Sequence, residues 1–173
     1  MRWDAEVRAA VTQARHLYAV AVDPALVHAV IEKESRHGAL PITGTLEPNG
    51  RYSYGPMQVQ DTTAASYHGV ADPSTMAVPS IGIRVGTFEL ARLLRIFAGD
   101  TARAVAAYNG GVGIARRDAR GRFPNQSYVD AVLGFWARFK SLAVAQAPAV
   151  GLLALAALAL WWFAGPRRRL AWR

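Results

Sequence analysis

Glu34 lies on the apolar face of a predicted helix, where a carboxyl group could act as a catalytic acid. Val27, Val30 and Ile31 recur at the spacing of one helix face, and Glu34 lies on that same face. Burial disfavours the charged form of a carboxyl group and raises its pKa. General acid catalysis needs a carboxyl group whose pKa lies near neutrality. The spacing therefore predicts that Glu34 lies on the buried face, where a glutamate is more often paired with an arginine, and a catalytic acid is the other interpretation.

The elements that must position Glu34 are predicted to be helices. Residues 1–140 show helical periodicity with loops between, and the alternation typical of strands is hardly sustained anywhere. Asp23 and Pro24 are typical of an N-cap and a first helical turn, and they open the helix that carries Glu34. Residues 37–63 are predicted to form a long loop or a short hairpin region. Further helices are predicted over 7–18, 80–97, 101–108 and 129–136. The predicted fold class is mainly α.

Five short motifs occur in order between residues 21 and 137, and together they resemble one known family. The motifs are VIEKES at 30–35, YGPMQVQDTTA at 54–64, SIGIRVGTFELARLLRIFAGD at 80–100, AVAAYNGGVG at 104–113 and SYVDAVL at 127–133. In this order and spacing they resemble the soluble-type lytic transglycosylase (SLT) domain of the lysozyme-like superfamily. The resemblance implies a lysozyme-like helical domain that cleaves peptidoglycan glycan strands.

The resemblance also implies roles for seven residues. Glu34 would be the sole catalytic acid and base. The other six would bind substrate or shape the cleft: Ser35, Met57, Gln58, Tyr108, Asn109 and Tyr128. Ser35 would orient the substrate or its acetamido group, while Met57 and Gln58 would line the cleft beside the cleaved bond.

The three remaining residues come from the last two motifs. Tyr108 would donate a hydrogen bond to Glu34, Asn109 would hold a sugar substituent, and Tyr128 matches a cleft tyrosine of the family. Structural alternatives stay open for several of these positions. Met57 could be an ordinary core residue, Tyr108 is at least partly a packing residue, and Asn109 with its two following glycines is also typical of a tight turn after a helix.

The number of carboxylates bears on the reaction. Hydrolytic glycosidases generally use two of them, and the only plausible second one here is Asp61, whose neighbours Thr62 and Thr63 are typical of a helix N-cap. The resemblance implies a single-glutamate route that closes a 1,6-anhydro ring on N-acetylmuramic acid and requires neither metal nor cofactor. A hydrolytic muramidase is the alternative, and a lysozyme-like domain used only for docking in an assembly is a further one.

A membrane segment is predicted near the end of the chain. No charged residue occurs from 141 to 166, and residues 147–165 reach the length of about 20 apolar residues that spans a bilayer core. Aromatic residues close the run and Arg167, Arg168 and Arg169 follow it, as is typical of a membrane boundary. The predicted domains are therefore a catalytic domain at 1–140, a transmembrane helix at 141–166 and a basic tail at 167–173. The alternative is a helix docked on a protein neighbour.

The placement of charge suggests an orientation and a setting. The arginines after the apolar run outnumber the basic residues just before it, so the tail is expected in the cytoplasm and the main domain outside it. The first 16 residues lack the apolar stretch of a secretory signal. We therefore expect a phage virion membrane or ejection complex, with local wall opening for genome entry. The alternatives are an envelope-spanning machine in the bacterial inner membrane and endolysin-like release.

The positive charge is weak support for nucleic-acid binding. Of the net charge of +8, half belongs to residues 141–173, which hold four arginines and no acidic residue. Arg116, Arg117, Arg120 and Arg122 form a basic loop, but no aromatic residues are interleaved with them. The expected partners are peptidoglycan glycan strands, a lipid membrane through 147–165 and other virion or envelope-machine proteins, rather than nucleic acid.

Overall fold

The computed structural model describes residues 1–142 of the chain, and residues 1–139 form one compact unit. The predicted membrane segment at 147–165 and the basic tail at 167–173 lie outside the described residues. Among residues 1–142, the structure has no helix with both the length and the apolar character needed to cross a membrane.

The described part is mainly helical, as predicted, with one small antiparallel sheet and two short 3-10 helices at Pro73–Ala77 and Val112–Ile114. We number the helices and strands in chain order. The helices are α1 Asp4–Tyr18, α2 Pro24–Ser35, α3 Asp61–His68, α4 Pro79–Ile96, α5 Thr101–Gly110 and α6 over residues 126–142, and the strands are β1 Thr45–Leu46, β2 Tyr52–Tyr54 and β3 Val59–Gln60.

Local chemistry explains where the helices begin. The Asp23 carboxylate accepts a hydrogen bond from the backbone N–H of Ala25 at 2.8 Å and Pro24 takes the first helical position, so α2 is capped as its sequence predicts. Asp61 was predicted as an N-cap, and this is wrong by one residue. Gln60 is the N-cap of α3, and Asp61 is the first residue inside the helix.

The core lies where α1, α4 and α5 pack together. The face of α1 that carries Val7, Ala10 and Ala14 is buried, and α4 is buried along most of its length. Two glycines of α4 allow close approach. A Cβ on Gly82 would lie 2.3 Å from the carbonyl oxygen of Met76, and one on Gly86 would lie 2.6 Å from Met57. The absence of these side chains lets the 3-10 helix Pro73–Ala77 and the segment before β3 pack directly on α4.

The region between α2 and α3 forms the sheet, where the sequence predicted a loop or hairpin. The strand order is β1-β2-β3, with Thr45 opposite Ser53 and Tyr54 opposite Val59. The turn between β1 and β2 is closed by a 2.8 Å hydrogen bond from the backbone N–H of Glu47 to the carbonyl oxygen of Arg51. This turn projects toward the cleft described next.

Candidate active site

A cleft of about 520 Å³ lies between the sheet, α3, α4 and the end of α5. Glu34, in the last turn of α2, is one of the residues that line it. The lining side chains are mostly polar or charged. Besides Glu34, they include Glu47, Asn49, Ser53, Gln58, Gln60, Thr63, Tyr67, Glu89, Arg92, Tyr108 and Asn109.

The carboxyl group of Glu34 is tuned toward neutrality. The side chain is half-buried, and this burial raises the pKa of Glu34 from an ordinary value of 4.5 to about 7. A hydrogen bond from Tyr128 and the charge of Lys33 act in the opposite direction, while the charge of Glu47 adds to the rise. Near neutral pH, Glu34 can therefore both give and accept a proton.

The hydrogen-bond partner of Glu34 is a different tyrosine from the one predicted. The Tyr128 hydroxyl, on α6, donates to Glu34 Oε1 at 2.5 Å. The prediction for Tyr108 is wrong in this respect, because its hydroxyl donates to the carbonyl oxygen of Met57 at 2.9 Å. Burial and the charge of Glu34 raise the pKa of both tyrosines well above the usual value, so both hydroxyls remain donors.

The position of Glu34 depends on how the end of α2 is held. The neighbouring Ser35 is fully buried, and its hydroxyl donates to the carbonyl oxygen of Pro56 at 2.8 Å. The Ser35 oxygen also accepts a hydrogen bond from the backbone N–H of Gly38 at 3.2 Å. The prediction that Ser35 contacts substrate is therefore wrong here: consecutive helical residues point in different directions, and Ser35 joins α2 to the loop before β3.

Met57 and Gln58 were predicted together but lie in different surroundings. Met57 has no exposed surface and does not line the cleft, so the core alternative applies and its placement in the cleft is wrong. Gln58 does line the cleft. Its backbone has a positive φ of 46°, and its side-chain amide donates to the carbonyl oxygen of Gly55 at 2.9 Å. The reversed backbone turns Gln58 outward while Met57 points inward.

The end of α5 brings Asn109 to the rim of the cleft. Asn109 is exposed, and its side-chain oxygen accepts a hydrogen bond from the amide of Asn125 at 2.9 Å. Gly110 and Gly111 follow it in the lining of the cleft, with Gly111 at a positive φ of 81°. Asn109 is thus held in place at the rim of the cleft, and its contact with a sugar stays a prediction.

Two carboxylates that line the cleft were not predicted from the sequence. Asp61 does not line the cleft, whereas Glu47 and Glu89 do, so the prediction of Asp61 as the only plausible second carboxylate is wrong. Glu47 belongs to a hairpin turn, which leaves no periodic pattern in a sequence. Glu89 lies on α4 three residues before Arg92, a spacing that predicts an ion pair on a helix.

The described residues provide no obvious metal site. Within the range 1–142, the structure places no group of three or more His, Asp or Glu side chains in an arrangement that could hold a metal ion.

The comparisons with known proteins agree with this architecture. The model of the family "Transglycosylase SLT domain" matches residues 13–129, well over half of the chain. The solved structure of an inactive mutant of the lytic transglycosylase Slt from Pseudomonas aeruginosa has a TM-score of 0.59 and 20% sequence identity to this chain. The match covers 80% of this chain and 24% of that one, so the present chain corresponds to about a quarter of that protein. A search of curated proteins gives no significant match.

Proposed function

The chain belongs to the transglycosylase SLT domain family, and from this membership we propose that it is a lytic transglycosylase that cleaves peptidoglycan glycan strands. The observation that carries the proposal is the state of Glu34. Its carboxyl group faces the cleft, has a pKa of about 7 and is held by Tyr128 at 2.5 Å. Such a group serves as acid in one step and as base in the next.

We assign the proton transfer to one of the two carboxyl oxygens of Glu34. Oε1 is occupied by the Tyr128 hydroxyl, so Oε2 is left to carry the proton toward the substrate. Protonated Glu34 gives its proton to the glycosidic oxygen between N-acetylmuramic acid and N-acetylglucosamine, and the bond from that oxygen to C1 breaks. The 2-acetamido group of the substrate stabilises C1 meanwhile.

The second step returns the proton. The Glu34 carboxylate accepts the proton of the muramyl 6-hydroxyl as that oxygen bonds to C1, which closes a 1,6-anhydro ring and regenerates protonated Glu34. Negative charge in the cleft favours the positive charge that develops at C1. Glu47 lines the cleft and its charge acts on Glu34, so it provides such charge.

A hydrolytic muramidase is the second candidate, and one observation favours it. Glu47 lines the same cleft as Glu34, and a second carboxylate is what hydrolysis by activated water requires. The two candidates differ in whether water enters the product.

Cleavage in water enriched in oxygen-18 distinguishes these candidates. We expect that the full chain releases glycan fragments from purified sacculi without incorporating the label, because the muramyl 6-hydroxyl supplies the new C1–O bond. Mass spectrometry of the fragments measures the incorporation, and a muramidase digest is the positive control. One oxygen-18 atom per cleaved bond would contradict the transglycosylase reaction and support hydrolysis.

We also propose that residues 147–165 anchor the protein in a lipid membrane, and that the anchored enzyme opens the wall locally during phage genome entry. The apolar run, its closing aromatic residues and the arginines after it support the anchor. The bacterial inner membrane, as part of an envelope-spanning machine, is the alternative location. Immunodetection of the protein in purified phage particles supports the virion setting, and its detection only in the envelopes of uninfected cells contradicts it.

A charge placed in the apolar run tests the anchor. The full chain is expected to float with liposomes in a density gradient, and the double substitution Leu155→Arg with Leu158→Arg is expected to abolish flotation. Each arginine at the centre of a membrane helix costs about 3 kcal/mol. Leu155→Ile with Leu158→Ile is the matched control and retains flotation. Flotation of the arginine variant equal to that of the unaltered chain would contradict the membrane anchor.

A further inference from the structure

Where α3 and α4 line the cleft, an aromatic ring and a guanidinium group lie against each other. Tyr67, in α3, is 57% exposed although it lies in the wall of the cleft. The Arg92 guanidinium, in α4, lies over the Tyr67 ring at 3.9 Å from the ring centroid. The acid–base steps at Glu34 make no use of either side chain.

Arg92 is rigidly held. Its Nε donates to Glu89 Oε2 at 2.8 Å and its Nη2 donates to Glu89 Oε1 at 2.7 Å, which is a two-point ion pair. Glu89 is only 6% exposed, and its Oε2 also lies 3.1 Å from His68 Nε2. Burial alone would raise the pKa of Glu89, but these partners lower it, so the carboxylate remains charged. The ion pair therefore sets the orientation of the guanidinium plane, against which the Tyr67 ring lies.

The pair leaves specific groups available to a ligand. The Nη1 of Arg92 donates no hydrogen bond to any residue in 1–142, so its two N–H groups remain unused there. The Tyr67 ring, covered by Arg92 on one side, presents an open apolar surface. A ligand that fits both has a flat apolar side and an oxygen acceptor at its edge, as a pyranose ring has.

The charges of the cleft decide between an acidic and a neutral sugar. The positive charge of Arg92 is offset by Glu89, while Glu47 is a further carboxylate in the same cleft. A ligand carboxylate would therefore meet a cleft with more negative than positive charge, and its desolvation would not be compensated. A hydroxyl or acetamido oxygen accepts from Nη1 without that cost.

We propose that Tyr67 and Arg92 form a sugar subsite that binds an uncharged N-acetylated pyranose, with the ring against Tyr67 and an oxygen on Nη1 of Arg92. The proposal rests on the proposed function, since it assigns one further contact of the glycan that Glu34 cleaves. It concerns recognition of a neutral sugar unit and not of the carboxylate of N-acetylmuramic acid.

The experiment measures glycan binding by isothermal titration calorimetry on the full chain carrying Glu34→Gln, so that no ligand is consumed. The probe is a neutral tetramer of N-acetylglucosamine. Tyr67→Ala is expected to raise Kd about tenfold, equivalent to about 1.4 kcal/mol. Tyr67→Phe, the matched control, retains the ring and is expected to leave Kd unchanged. Because Tyr67 is exposed, an unchanged thermal midpoint shows that Tyr67→Ala is folded.

Arg92→Lys provides the second arm, because lysine retains the charge but lacks the planar fork with its unused Nη1. It is expected to raise Kd for the neutral tetramer as Tyr67→Ala does. An unchanged Kd in Tyr67→Ala would overturn the subsite. A loss of affinity confined to a glycan that bears N-acetylmuramic acid carboxylates would also overturn the subsite. If Glu34→Gln alone binds neither glycan, the proposed function fails together with the subsite, and this outcome is distinct from the other two.

Discussion

Glu34→Gln is expected to lower the rate of glycan cleavage by roughly a thousandfold, the scale of a general acid–base contribution. Glutamine has nearly the same shape as a protonated glutamate, so it fills the same space beside Tyr128. It has no proton to give to the glycosidic oxygen and cannot accept one from the 6-hydroxyl. The rate of release of soluble fragments from sacculi at pH 6 measures the effect.

The matched control for this substitution is Glu47→Gln, which also removes a carboxylate from the cleft. We expect a loss of at most about tenfold, because Glu47 contributes charge and transfers no proton. An equal loss in the two variants would indicate a two-carboxylate hydrolase. Cleavage by Glu34→Gln at the rate of the unaltered enzyme would show that another residue is the acid.

Glu34→Gln also has a predictable effect on the free energy of unfolding. The pKa of Glu34 is raised in the folded protein, so the unfolded chain ionises first, between pH 4.5 and about 7, and folding loses free energy over that window. Above pH 7 the loss amounts to about 3 kcal/mol. Glutamine does not ionise. The free energy of unfolding of Glu34→Gln, relative to the unaltered protein, is therefore expected to rise from pH 4 to pH 8.

The rate of cleavage is expected to fall above pH 7, about tenfold for each further pH unit, because Glu34 must be protonated to act as acid. Tyr128→Phe removes the hydrogen bond that lowers the pKa of Glu34, so this alkaline limb is expected to move to higher pH. Profiles of kcat/KM between pH 5 and 9 measure both effects.

Tyr108→Phe is the control for the shift, since its hydroxyl bonds to the carbonyl oxygen of Met57 and not to Glu34. The alkaline limb of the Tyr108→Phe profile is expected to stay at the same pH. A shift in Tyr108→Phe without one in Tyr128→Phe would mean that the tyrosine assignment is reversed. An alkaline limb near pH 4.5 in the unaltered enzyme would contradict the burial of Glu34.

The mainly helical fold and the membership of the SLT family could both be predicted from the chain itself, because each depends on local patterns. Helical spacing placed Glu34 on the same side as Val30 and Ile31, and the motifs followed one another in family order. The structure places Glu34, Gln58, Tyr108 and Asn109 in the wall of one cleft. Their contacts with substrate stay predictions.

The errors arose where tertiary packing decides direction. Ser35 follows the cleft residue Glu34, and Met57 precedes the cleft residue Gln58. Both side chains are fully buried, and only the tertiary packing shows that they point into the core. Which of the two tyrosines reaches Glu34 depends on the tertiary packing of α5 and α6, and no local sequence pattern predicts that.

The polar residues that the β1–β2 turn and α4 contribute to the cleft wall could not be predicted, for a related reason. Glu47 lies in a turn, and Glu89 and Arg92 look like an ordinary surface ion pair of a helix until α3 brings Tyr67 over them. A sequence motif describes residues that a family shares in order along the chain. It does not describe a cleft wall that one chain assembles from two separate helices.

The most direct test of the transglycosylase reaction is mass spectrometry of the fragments that the full chain releases from purified sacculi, with Glu34→Gln run in parallel. The transglycosylase reaction predicts fragments ending in 1,6-anhydro-N-acetylmuramic acid, lighter by one water than hydrolytic products, from the unaltered chain and almost none from Glu34→Gln. Fragments with reducing ends, or anhydro fragments released equally fast by Glu34→Gln, would contradict it.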